Sequence, residues 1–260
     1  MTEIASLPIE PPRRFHVDWL LPALFRPRRT FAKIVEQSGD VWLTPILVVM
    51  VAAVAHALVT GWLKQIAALS GPMDLPPDFQ YWAPDQQNQF MQAQAAASGP
   101  VFLYVFPSIL SALSVWVGWL IVVGLLHLVF TLLGARGTTR TAMNMVAWAG
   151  LPFAVRDFVR IGYMVATRQL VGHPGLSGFA SADAGAVSLL LAEFLRLFDV
   201  YLIWHILLLV LGVRVAETLP AARAWGGVLI TILIVLLLQA LPGFAMAQFS
   251  GLNIIRPFFF

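Results

Sequence analysis

The feature that most constrains this chain is a series of apolar segments that are too long to be buried inside a soluble domain. Each exceeds the roughly 18 residues that mark a membrane span, and each reaches across about 30 Å of hydrocarbon as a helix. Only 11% of the residues are charged, against about 25% in soluble domains. We therefore predict an all-α polytopic membrane protein, a bundle of five transmembrane helices, with spans at about 41–63, 101–133, 141–166, 187–213 and 225–247.

Basic residues are distributed unevenly between the segments that flank these spans. With residues 1–40 inside, the inside segments carry ten basic residues and the outside segments three, when the arginines within spans are set aside. Because basic residues collect in cytoplasmic segments, this predicts a cytoplasmic amino terminus and an external carboxyl terminus. The predicted organisation is a basic cytoplasmic tail, a membrane domain with one large outside loop, and an external tail, at 1–40, 41–247 with loop 64–100, and 248–260.

The tail and the outside loop each contain one predicted short helix. In the tail, Thr30 can cap a helix over residues 30–36 that places Phe31, Ile34 and Val35 on one face. Such a helix can lie at the membrane interface or pack on the cytoplasmic ends of the spans, and the sequence leaves both open. In the loop, residues 85–97 are rich in Gln and Ala, which favours a polar helix.

Charged residues inside spans are costly and are therefore the first candidates for a functional site. They form two groups, one in each of the two charged spans, with three arginines against three carboxylates: Arg156, Asp157 and Arg160, then Glu193, Arg196 and Asp199. Antiparallel packing of these spans would bring the groups to similar depth. The network can then be a polar site for an ion, a proton or a lipid headgroup, or a charge-neutral clasp that holds the two helices together, and the complete neutrality favours the clasp.

Enzyme and metal motifs are missing from the sequence. Cysteine is absent, which excludes disulfides and thiolate metal sites. His56, His127 and His205 lie in three different predicted spans, and no two of them have the helical spacing of a metal site. No phosphate-binding loop, catalytic serine motif or nucleic-acid-binding motif accompanies them. We expect no catalytic residue, no metal, no cofactor and no nucleic-acid partner.

Small residues recur at every fourth position in the first span. Ala53, Ala57 and Gly61 would let a second helix backbone approach closely. This seam can close the monomer or form a homo-oligomer, and the sequence favours the first without excluding the second.

Three local motifs resemble those of bacterial Yip1-domain membrane proteins. Pro27 and Phe31 stand in a proline–phenylalanine–isoleucine entry ahead of the first span. Trp148 and Pro152 form an aromatic–small–proline signature in the third. Phe198 and Trp204, followed by Gly212, form an aromatic segment that ends in glycine. The resemblance covers about residues 26 to 245, apart from the long outside loop.

This resemblance implies a non-enzymatic accessory or scaffold protein of the bacterial inner membrane. Eukaryotic relatives act in vesicle traffic through small GTPases, but the tail of this chain presents no GTPase-binding domain. Bacterial relatives are encoded beside MacB-type ABC exporters, which makes such an exporter, or another membrane protein, the expected partner. The alternative is a small transporter or lipid-handling protein that uses the arginine–carboxylate network. Membrane lipids are expected partners in either case.

Overall fold

The computed structural model describes residues 15–37, 39–70, 75–76, 78–179, 186–217 and 219–250, with side chains up to residue 245. Every regular element in these ranges is helical, in agreement with the predicted all-α class. The first 14 residues lie outside the described ranges, and so do residues 251–260 of the predicted external tail. The elements are α1 (Leu20–Phe25), α2 (Pro27–Glu36), α3 (Leu43–Ser70), α4 (Pro84–Ala97), α5 (Phe106–Leu132), α6 (Thr139–Ala149), α7 (Leu151–Thr167), α8 (Ala186–Arg196), α9 (Val200–Glu217) and α10 (Ala221–Ser250).

Four helices in the described ranges are long and apolar enough to cross a membrane, where the sequence predicted five. They are α3, α5 with the π-helical turn Val101–Val105 that leads into it, α9, and α10 up to residue 245. The predicted spans 41–63, 101–133 and 225–247 thus correspond to single helical segments. The other two predicted spans, 141–166 and 187–213, are each divided into two helices.

The break in the first divided segment lies at Gly150. Pro152 occupies the first turn of α7, where its missing N–H needs no partner, whereas in a helix interior it would remove a hydrogen bond and clash with the preceding turn. The Gly150 N–H closes α6 on the carbonyls of Val146 and Ala147. The single span predicted over 141–166 is therefore divided into two helices, because Pro152 begins a new one.

The break in the second divided segment lies at residues 197–199. Asp199 is the amino-terminal cap of α9, since its carbonyl accepts the Ile203 N–H and its side chain accepts the Leu202 N–H at 2.9 Å. On the other side of the break, the carbonyl of Leu195 at the end of α8 accepts N–H groups from Phe198 and from Leu176 in the preceding loop. Asp199, which was predicted to be an intramembrane charge, is thus also a helix cap.

The long helices pack around one main apolar core. Helix α3 lies against α5 and α7, while α9 contacts α2, α6, α7 and α10. We call the end of the bundle that carries the α5–α6 and α9–α10 turns the tail end, and the opposite end, with α4 and residues 168–179, the loop end. Helix α8 packs against α10 at the loop end.

The two predicted short helices are present, with one correction in the tail. Helix α4 matches the predicted polar helix. Helix α2 begins at Pro27, three residues before Thr30, because proline suits the first helical position. Thr30 therefore lies within the helix, where its hydroxyl donates to the Arg26 carbonyl at 3.3 Å. Phe31 and Ile34 are buried and Val35 is exposed, so α2 packs on the spans, as one of the two alternatives expected.

Candidate functional site

Two regions collect the residues that the sequence singled out. The first, which we call the charged junction, consists of Arg156, Asp157 and Arg160 on α7 and Asp199 at the start of α9. Arg160 forms an ion pair with the Asp199 carboxylate at 3.5 Å, and Arg156 forms another at 3.8 Å. Both guanidinium groups approach the same oxygen, Oδ2. The junction therefore joins α7 to the break between α8 and α9.

Asp199 is the residue on which the junction converges. Its Oδ1 accepts the Leu202 N–H and caps α9, while its Oδ2 faces the two arginines. Only 12% of the side chain is exposed. Charge-assisted hydrogen bonds and ion pairs gain strength where water is largely excluded. Each carboxylate oxygen thus has a bonding partner within the protein.

Arg156 is the second shared member of the junction. Its Nε also donates to the Asp157 carboxylate at 3.3 Å, and its guanidinium stands 5.0 Å above the ring of Phe153. Phe153 in turn contacts the ring of His205 on α9, with centroids 4.9 Å apart. Two arginines and two aspartates give the junction a net charge of zero, and an aromatic contact extends it into the apolar core.

The remaining two predicted network residues do not join this set. Glu193 and Arg196 pair with each other on α8 at 3.4 Å, and more than half of the Arg196 side chain is exposed. The Glu193 carboxylate lies against the backbone of Gly243 on α10, where a side chain would collide with it. The six charged residues therefore form a four-residue junction and a separate pair.

Two histidines lie in or near this part of the molecule. His205 is buried, and its Nδ1 lies 2.7 Å from the Ala149 carbonyl at the end of α6. His56, halfway along α3, interacts electrostatically with Asp157, Arg156 and Arg160. Within the described ranges, no three His, Cys, Asp or Glu side chains are placed to hold a metal ion. Sequence reasoning missed His56 as a neighbour of the junction, because the two are about 100 residues apart.

The second region is the docked segment, residues 15–36, which packs against α6 and α9 from the middle of the bundle toward the tail end. The segment has room there because α3 begins only beside the middle of α5 and does not extend to the tail end. Trp42, directly before α3, packs on Trp116 and Trp119 of α5. Phe31 of α2 is fully buried against Gly212 of α9. A methyl group added at Gly212 would lie 3.2 Å from the Phe31 ring and 3.1 Å from the Met145 sulfur. Glycine here permits the close approach of three helices.

Hydrogen bonds fix the chain between α2 and α3 to the α6 helix. The Trp148 indole N–H donates to the Val41 carbonyl at 3.0 Å, and the Val41 N–H donates to the Asn144 side chain at 3.1 Å. Asn144 and Trp148 are both buried. The peptide groups flanking Val41 are thereby satisfied inside the protein, which a chain entering an apolar environment requires. No local pattern around Asn144 indicates this contact.

Aromatic contacts complete the docking of this segment. Trp19 lies 5.9 Å from Trp148, and Phe25 lies 6.4 Å from Trp204 on α9. Of the motif residues, Pro27 begins α2, Pro152 lies in the first turn of α7, and Phe198 packs on Phe194 beside the helix break. The structure places these motif residues at the docked segment and the two helix breaks: Pro27, Phe31, Trp148, Pro152, Phe198, Trp204 and Gly212.

Comparison with protein-family models matches residues 23–241 of the chain to the family described as Yip1 domain. No curated protein and no solved structure matches the chain. The matched range contains the charged junction and most of the docked segment, together with every motif residue named above. The local motifs and the whole-domain match therefore agree.

Proposed function

The chain belongs to the Yip1 domain family, and on that premise we propose that it is a non-enzymatic membrane protein that acts as an accessory subunit or scaffold for a partner in the same membrane. The four long apolar helices support an integral membrane location. We place the protein in a bacterial cytoplasmic membrane, with the tail end cytoplasmic. The partner that we propose is a MacB-type ABC exporter, in line with the family resemblance.

The observation that carries this proposal is that the charged junction is closed on itself. Asp199 uses one oxygen to cap α9 and the other to bind two arginines, and Asp157 holds one of those arginines. Groups arranged in this way stabilise a discontinuous helix without any added ligand. The junction therefore has a sufficient structural role, and a cargo is not needed to explain it.

The depth of the junction supports the same interpretation. Helix α9 has 18 residues between Asp199 and the tail-end turn, which corresponds to about 27 Å. A hydrocarbon layer is about 30 Å thick, so Asp199 lies near its loop-end boundary. Arginine side chains at such a boundary extend toward the headgroups and lower the cost of burial.

A surface for a partner protein is available at the loop end. Phe79, Trp82 and Phe90 form a cluster with ring centroids 5.5 to 5.6 Å apart, and this cluster holds the loop before α4 in a defined shape. Beside it, Tyr81 is 80% exposed, and Phe179 in the other loop is 85% exposed. Exposed aromatic side chains on an ordered support are typical of interface hot spots.

One observation favours the alternative, a transporter or lipid-handling protein. The junction lies at a break between two helices, and transporters bind their substrates at such breaks. His56, a group that can exchange protons, is within electrostatic reach of the junction. In this alternative the carboxylates of Asp157 and Asp199 would exchange their arginine partners for a transported ion or headgroup.

Affinity purification in mild detergent, with quantitative mass spectrometry, separates the two proposals. Three forms are compared with the wild type: the neutral double variant Arg160→Leu/Asp199→Asn, the loop-end variant Tyr81→Ala/Phe179→Ala, and the tail-end control Leu128→Ala/Leu132→Ala. The accessory function predicts that the neutral variant and the control retain the exporter at the wild-type ratio. The loop-end variant loses it.

If the neutral variant is folded but loses the partner, or if the membrane system loses its function, the result would favour the transporter alternative. Co-purification that is unaffected by the loop-end variant would contradict the proposed surface. Size-exclusion profiles of all forms show whether each variant is folded before its partner ratio is interpreted.

A further inference from the structure

The docked segment presents an apolar row toward the outside of the bundle. Val17, Leu21 and Phe25 follow each other at intervals of four residues and are 65%, 68% and 72% exposed. On the opposite side of α1, Ala23 is fully buried. A row of large exposed apolar side chains beside the spans is compatible with lipid and unfavourable in water. The row therefore faces lipid, at a depth set by the contact between Phe25 and Trp204 of α9.

Three arginines follow directly after this row and border a recess that is largely open to the outside. Its volume is about 580 Å³, and it is lined by Arg26, Pro27, Arg28, Arg29 and Leu211. We call it the arginine recess. Leu211 belongs to α9, so the recess has a basic wall from the docked segment and an apolar wall from a membrane-spanning helix.

The apolar wall continues along α9 away from the recess. Ile203 and Leu207 precede Leu211 at intervals of four residues, on the same face, and are 57% and 44% exposed. A chain of hydrocarbon can therefore extend from the recess along this face toward the loop end. Phe25 borders the same path through its contact with Trp204.

The basic wall has no partner within the part of the chain that the structure describes. Among the described residues, the arginines that form ion pairs are Arg140, Arg156, Arg160 and Arg196. No described carboxylate lies within 4 Å of the recess arginines. Guanidinium groups bind phosphate oxygens in a two-pronged geometry that suits them better than a point charge. Three arginines that border one recess give it a positive charge, which is complementary to an anionic phosphate group.

We propose that the arginine recess binds the headgroup phosphate of an anionic phospholipid, whose acyl chain lies along Ile203, Leu207 and Leu211. The apolar wall favours this occupant over a soluble phosphate, because a soluble phosphate has no hydrocarbon chain to bury against it. The proposal does not depend on the accessory function or on the charged junction. Lipid bound there would fix the docked segment to the membrane surface.

Native mass spectrometry of the delipidated full chain in detergent tests this proposal, with phosphatidylglycerol and phosphatidylcholine of the same acyl chains as probes. The test variant is Arg26→Gln/Arg28→Gln/Arg29→Gln. Its matched control, Arg136→Gln/Arg214→Gln/Arg223→Gln, removes three exposed arginines from the same end of the bundle. A further variant, Leu211→Trp, keeps every charge and narrows the recess with a larger side chain. Soluble glycerol phosphate is the third probe.

The wild type is expected to bind one phosphatidylglycerol about tenfold or more tightly than phosphatidylcholine, since basic residues near a surface favour anionic lipids. The recess variant should lose this preference, the control should keep it, and Leu211→Trp should weaken binding with all arginines present. Equal binding of both lipids by the wild type, or equal losses in test and control variants, would overturn the proposal. So would glycerol phosphate binding as tightly as the lipid.

Discussion

The docked segment and the charged junction hold the same bundle together by opposite means. The docked segment is fixed by close apolar packing, as Phe31 against Gly212 shows, and the chain that follows it by neutral hydrogen bonds such as that from Trp148 to Val41. The junction is fixed by charge balance around Asp199. The first should therefore respond to changes in volume, and the second to changes in net charge. Five of the seven motif residues lie at or beside the docked segment, and none is charged.

The largest effect is expected from Phe31→Ala. Removing a fully buried aromatic ring costs about 3 to 5 kcal/mol, because the three helices around it cannot close the cavity. Unfolding in mixed detergent micelles, followed by tryptophan fluorescence, measures the loss. Val35→Ala, on the exposed side of α2, should cost less than about 1 kcal/mol. Equal effects of the two substitutions would contradict the docking of this helix.

Asp199→Leu should destabilise the protein by about 3 kcal/mol or more, because it leaves Arg160 without its carboxylate partner, Arg156 with Asp157 alone, and α9 without its cap. Asp199→Asn should cost less, since asparagine is also a good cap. The same unfolding assay distinguishes the two roles. If Asp199→Leu and Asp199→Asn lowered the free energy of unfolding equally, the loss would come from the charge alone and the cap would contribute nothing.

A smaller loss is expected from Gly212→Ala, at about 1 to 3 kcal/mol. The added methyl group would press on the Phe31 ring and the Met145 sulfur, both at about 3.1 to 3.2 Å. Gly226→Ala is the control, since an added side chain there meets nothing within 4 Å and alanine favours the helix. A stable Gly212 variant would show that the three helices are not in close contact.

The smallest effect is expected from Asp40→Asn. Asp40 pairs with Arg140 at 3.1 Å, but both side chains are more than half exposed. Exposed pairs contribute about 0 to 1 kcal/mol, so the unfolding midpoint should hardly change. A loss of unfolding free energy as large as that of Asp199→Leu would contradict this expectation. It would mean that solvent exposure does not decide how much each ion pair stabilises the protein, and that charge also stabilises the tail end.

Much of the architecture follows from apolar length and composition. The helical class and three of the five predicted spans correspond to the observed helices, and the family inferred from motifs is confirmed over residues 23–241. The break within each divided segment was not predicted, and the reason is the same in both. Their hydropathy is continuous across the break, while Pro152 and Asp199, the residues at which new helices begin, were assigned to a family motif and to the intramembrane charges.

The site was only partly predictable because its contacts join distant positions. Spacing along one helix showed that Arg156, Asp157 and Arg160 lie close together, but it could not show that Arg196 pairs with Glu193 and not with Asp199. His56 and Asn144 had no local signal at all, since their partners lie about 100 residues away. The tail, predicted from its charge as a cytoplasmic extension, carries aromatic residues that belong to the core.

The most direct test of the central claim, that the charged junction is a structural clasp, is a double-mutant cycle on Arg160→Leu and Asp199→Asn. The unfolding free energy and the ratio of bound partner are measured together in each form. We expect the double variant, which is again neutral, to recover at least half of the stability lost in the worse single variant and to keep the wild-type partner ratio. Additive losses, or a stable double variant that has lost its partner, would contradict the clasp.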